Sequence, residues 1–135
     1  MKNFLLVFSF ISITLLTCTR VNAQTSYSCT YRQYCNWNAD DKKFDNCTGY
    51  EESSLFVMNT SETMFTHTID AMKSTYYVTS KEYDKEHDVY TYDVTSDVGN
   101  KYYYVFDPKD KQVRAVYVNK DGKTMEIVFT VKAIF

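Results

Sequence analysis

Glycine is scarce in this chain, with Gly49, Gly99 and Gly122 the three in 135 residues. A phosphate-cradling loop or a dinucleotide turn needs several glycines close together, so both are excluded; a Gly-x-Ser-x-Gly elbow and a His-Glu-x-x-His helix are absent too. Histidine occurs twice, at His67 and His87, which leaves little for general acid–base chemistry. Past residue 23 no apolar run is long enough to cross a bilayer as a helix. Positive charge is also short there. With Lys2 and Arg20 set aside, thirteen Lys and Arg stand against seventeen Asp and Glu. That balance argues against nucleic acid or an anionic membrane surface as a partner, because both require clustered cations.

The first 23 residues have the three-part form of a secretory signal: a basic Lys2, an apolar run from Phe4 to Leu16, and a small-residue exit at Val21-Asn22-Ala23. Ser9, Ser12 and Thr14 interrupt the run, so cleavage before Gln24 is expected rather than a retained anchor. Leu15-Leu16-Thr17-Cys18 has the outline of a lipoprotein site, but Thr17 is a poor residue before a lipid-bearing cysteine. Residues 24–135 are then one exported domain, periplasmic or secreted, with no membrane span.

Export permits disulfides, and this region keeps Cys29, Cys35 and Cys47, an odd number. Cys35 and Cys47 lie symmetrically about Asp41 in a stretch that reads as strand, polar turn (Asn38 to Lys43) and strand. A hairpin would bring them together, so Cys35–Cys47 is the favoured pair, with Cys29–Cys35 and Cys29–Cys47 as alternatives. A zinc site would need a fourth ligand and closer pairs.

After Gly49 come short segments rich in Tyr, Val, Phe, Thr and Ile, each closed by a polar turn: Leu55–Asn59, Met64–Ile69, Ser74–Tyr83, Val89–Ser96, Lys101–Phe106, Val113–Asn119 and Lys123–Ile134. Links this short make antiparallel neighbours. The expected fold is all-β, an antiparallel meander of seven to nine short strands. Within it Ser61–Lys73 also fits a helical face, although Phe65, His67 and Ile69 alternate as a strand does. Tyr90, Tyr92 and Val94 share a face, as do Tyr102, Tyr104 and Phe106, and Ile127, Phe129 and Val131. The opposite faces carry Thr91, Asp93, Lys101, Thr130 and Lys132, which predicts one buried and one wet face. Such a sheet must close into a small barrel or fold into a sandwich.

Asp107-Pro108-Lys109-Asp110 and Asn119-Lys120-Asp121-Gly122 lack the closing acid of a calcium loop, and turn chemistry accounts for them. No metal or other cofactor is implied. The final strand alternates apolar residues as outer-membrane strands do, but scarce glycine and short strands argue against a membrane barrel. His87, in the charged stretch Asp84 to Asp88, reads as a solvated turn residue. His67 reads as half-buried between Thr66 and Thr68, and it is the residue on which a small hydrolase-like enzyme would have to depend.

Thirteen tyrosines are the most unusual feature. Tyr76, Tyr90, Tyr92, Tyr102 and Tyr104 fall on successive strands and are the candidates to line a barrel that holds a small apolar or aromatic ligand. If the barrel interior is filled instead, exposed Trp37, Tyr77 and Tyr103 are the candidates for docking another envelope protein. From Glu51-Glu52-Ser53-Ser54-Leu55-Phe56 through Ser96-Asp97-Val98-Gly99-Asn100 to Phe135, the chain resembles small secreted bacterial β-meander proteins of unassigned function. Its architecture is loosely similar to lipocalin-like barrels, without their Gly-x-Trp motif: Trp37 follows Asn36. The resemblance implies fold and export, and no site residue.

Overall fold

A side-chain oxygen at the end of a strand can accept the backbone N–H groups two and three residues on, which starts a turn. Asn38, Asp84 and Asp107 each do this, with Oδ1 3.0–3.3 Å from the amides of Asp40 and Asp41, Glu86 and His87, and Lys109 and Asp110. Four residues after each acceptor stands a residue at φ 51°: Lys42, Asp88 and Lys111. The same loop is thus written three times in different residues. Elsewhere Gly99 (φ 86°) and Gly122 (φ 77°) supply the left-handed step, and the two-residue turn Asp70-Ala71 places Asp70 at φ 51°.

The chain therefore reverses after every strand. The computed structural model describes residues 24–135 and contains β1 (Thr25–Asn38), β2 (Lys43–Met58), β3 (Met64–Ile69), β4 (Met72–Asp84), β5 (Val89–Ser96), β6 (Lys101–Asp107), β7 (Gln112–Val118) and β8 (Thr124–Ile134). Each strand pairs antiparallel with the next, and β1 also pairs with β8, so the meander closes as a barrel rather than a sandwich. The expected leader, with Cys18, lies outside the described residues.

Ser61–Lys73 contains strand β3 and the turn after it, with no helix. One difference concerns Gly49, which does not end a segment. It lies inside β2, where a Cβ would come within 2.3 Å of the Tyr31 hydroxyl. The Tyr31 ring occupies the space a side chain would take, so the strand continues past the glycine.

The inward face is packed solid with rings. Phe56 and Phe65 are fully buried and Phe129 nearly so. Phe56 meets Phe129 edge-on at 4.9 Å, and Phe65 meets Tyr104 at 4.8 Å. Eight strands enclose a space that side chains can fill, and Val113, Ala115, Tyr104 and Phe106 complete it.

The outward face is less wet than alternation implies. Val89, Thr91 and Val105 point outward yet are only 5–8% exposed. Phe44, near the tip of the β1–β2 hairpin, lines one cavity with them. Trp37 packs against Phe44 at 5.0 Å.

Cys35 and Cys47 form the disulfide, with Cα atoms 4.2 Å apart, and Cys29 is free and buried. Symmetry about Asp41 is not the whole reason. Near the turn Trp37 pairs with Phe44 and Asn36 with Asp45, a register that would set Cys35 opposite Asn46. The register shifts between Tyr34 and Asn36, and Asn46 takes φ 55°. This bulge moves Cys47 into place.

Candidate functional site

The five candidate tyrosines do not form one lining. Tyr76 and Tyr104 are buried with their rings 5.4 Å apart. Tyr102 packs on both, at 5.6 and 6.0 Å. Tyr92 is also buried, but its hydroxyl donates to Glu62 Oε1 at 3.3 Å in the β2–β3 turn, toward the barrel's other end. Tyr90 is 47% exposed, with the Lys81 ammonium 4.0 Å from its ring centre. Alternation assigns Tyr90 to the inward face correctly, but it says nothing of height along the barrel, and Tyr90 sits at the rim.

Tyr76, Tyr102 and Tyr104 belong to the end where the sheet opens. The β6–β7 ladder runs from Tyr103 paired with Val116 to Asp107 paired with Gln112, and it does not continue to Tyr102 and Tyr117. Those two rings face each other at 5.6 Å across the gap. A cleft of about 630 Å³ lies there, lined by Val94, Tyr102, Tyr103, Val116, Tyr117 and Val118 with Thr79, Asp93, Thr95 and Lys101. Its volume falls in the range of small-molecule sites. Tyr117 sits on a strand that alternation marks apolar, yet nothing in its local sequence shows that the ladder stops beside it.

The same end carries a polar cluster. Arg32 Nη1 donates to the Tyr34 hydroxyl at 2.8 Å, and the Tyr34 and Tyr50 rings stack with centroids 6.3 Å apart. Arg32 Nη2 lies 2.7 Å from Glu52 Oε1, close enough for an ion pair but off the hydrogen-bonding direction. Its guanidinium carbon is 4.8 Å from the Phe129 ring centre. Arg32 Nε is buried with no hydrogen-bond partner in the protein.

His67 lies deeper than the sequence suggests. It is 6% exposed, stacked flat on Phe56 at 4.0 Å and edge-on to Phe129 at 5.0 Å. Its Nε2 is buried without a partner. Desolvation, reinforced by the positive charge of Arg32, brings its pKa down to about 3, so the ring is neutral at ordinary pH. His87 is exposed in its turn, as expected, and its Nδ1 is 2.8 Å from Asp84 Oδ2, which raises its pKa.

Trp37, Tyr77 and Tyr103 are 41–51% exposed. Tyr103 shares a cavity wall with Phe44, the ring on which Trp37 packs, whereas Tyr77 is paired with Thr95 on the far side of the larger cleft. No protein-family model, curated protein or solved structure matches this chain.

Proposed function

We propose that the domain is a non-enzymatic binding module, exported from the cell, that takes a small aromatic ligand in the cleft beside Tyr102 and Tyr117. The observation that carries this reading is the interrupted β6–β7 ladder, which leaves two tyrosine rings at the lip of a cleft in an otherwise packed barrel. A flat ligand there gains ring-on-ring contact and contact with Val94, Val116 and Val118. His67 supports a non-catalytic reading, since its imidazole is neutral, stacked on Phe56 and edge-on to Phe129, with Nε2 buried and unpartnered. A second reading, docking of another envelope protein, is favoured by the exposure of Trp37, Tyr77 and Tyr103.

Native mass spectrometry of the protein recovered from its host, followed by calorimetric titration with small aromatic and aliphatic compounds, tests the proposal. Aromatic compounds should bind, and Tyr102→Ala and Tyr117→Ala should each weaken binding about tenfold or more while Tyr90→Ala changes nothing. Equal affinity in wild type and Tyr117→Ala would refute the cleft as the site. Binding of an envelope protein with no small-molecule mass would favour the second reading.

A further inference from the structure

The outward face of β7 and β8 carries an opposite-charge pair that does not close. Arg114 pairs with Val128 and Glu126 with Val116, so the two charged side chains are diagonal neighbours outside the barrel. Among the described residues no ion pair joins them. Arg114 Nε is buried with no hydrogen-bond partner, and Glu126 is half-buried. Leaving Arg114 Nε buried without a partner is costly, and no ion pair engages the half-buried Glu126 carboxylate beside it among the described residues, so the two can receive opposite charges of one ligand.

Both line a cavity of about 260 Å³ with Phe44, Val89, Val105 and Val116, and with Thr91 and Tyr103 beside them. Phe44 reaches it from the β1–β2 hairpin, whose Cys35 is buried next to Glu126 in the β1–β8 register. One wall of the cavity thus comes from an element stapled through Cys35–Cys47. Asp84 and His87 stand at its edge, already engaged with each other.

We propose that this cavity binds a small zwitterion with a short apolar side chain, of the α-amino-acid type. The carboxylate is received by Arg114, the ammonium by Glu126, and the side chain by Phe44, Val89, Val105 and Val116. The volume, below that of drug-sized sites, selects a ligand of this size. An arginine receives a carboxylate in matched geometry, and a partly desolvated carboxylate receives an ammonium with both charges satisfied. The site lies outside the barrel, behind the Tyr102–Tyr117 cleft, with Tyr103 and Val116 lining both.

Isothermal titration with valine or leucine, and with the N-acetyl and amide derivatives of each, tests the assignment. Saturable binding is expected for the free amino acids, weakened about tenfold or more when either charge is capped. Arg114→Met and Glu126→Gln should each abolish it, whereas Tyr90→Ala, at an exposed residue that lines neither cavity, should leave it unchanged. Arg114→Lys keeps the charge and should still lose about tenfold, which guards against a folding defect in Arg114→Met. Absence of saturable binding by wild type, equal affinity for the capped compounds, or full affinity in Glu126→Gln would overturn the proposal.

Discussion

Between about pH 8 and about pH 5, acidification should destabilise this protein through the buried side chain of His67. It is 6% exposed and stacked on Phe56, and its pKa falls from the ordinary 6.5 to about 3. In the unfolded chain the imidazole takes up a proton below its ordinary pKa, while in the fold it stays neutral until about pH 3. The unfolded state therefore binds more protons across this window, and stability falls as pH drops. Lowering the pH from about 8 to about 5 should remove roughly 2 kcal/mol on this account. His87 acts in the opposite direction, because Asp84 raises its pKa and its contribution fades as pH rises. His87 is exposed and is present in both proteins compared, so it cancels in a difference. The assay is urea denaturation of wild type and His67→Gln at several pH values, where a loss of roughly 2 kcal/mol moves the midpoint by about 1–2 M. Wild type should lose that much more than the variant. Parallel pH dependence in the two proteins would refute the reasoning.

Two further perturbations bear on the fold. Replacing Cys35 and Cys47 together by Ser opens a loop of sequence separation 12 and should cost about 3 kcal/mol, read as a lower denaturation midpoint than that of the oxidised wild type. An unchanged midpoint would mean that the hairpin holds its shape in the unfolded ensemble without the bond. Phe56→Ala removes a fully buried ring that meets His67 at 4.0 Å and Phe129 at 4.9 Å. It should cost about 3–5 kcal/mol in the same assay, and a loss below about 1 kcal/mol would show that the core collapses around the gap.

Much of the architecture was legible because it is local. Asn38, Asp84 and Asp107 start turns with their own side chains, so strand endings and antiparallel order follow from residues a few positions apart. Alternation likewise placed Tyr92, Tyr104 and Phe129 inside. The Cys35–Cys47 pair was reached by symmetry, although the bulge at Asn46 that makes it possible was not visible. The candidate site was only partly legible. Tyr102 was named among the tyrosines, but Tyr117, Arg32, Glu52, Arg114 and Glu126 matter only because of what stands opposite them, and no spacing announces that.

By itself, then, the sequence determined an all-β meander with one apolar face per strand, because turn chemistry and period-two alternation act within a few residues. Tertiary structure decided the rest. Closure needs β1 and β8 to meet from opposite ends of the described chain, so barrel rather than sandwich is a long-range outcome. The burial of Thr91 and Val105 depends on a hairpin tip far away in sequence. Whether a tyrosine fills the core, lines a cleft or stands at the rim depends on its height in the closed barrel, and that coordinate exists only once all eight strands are in register.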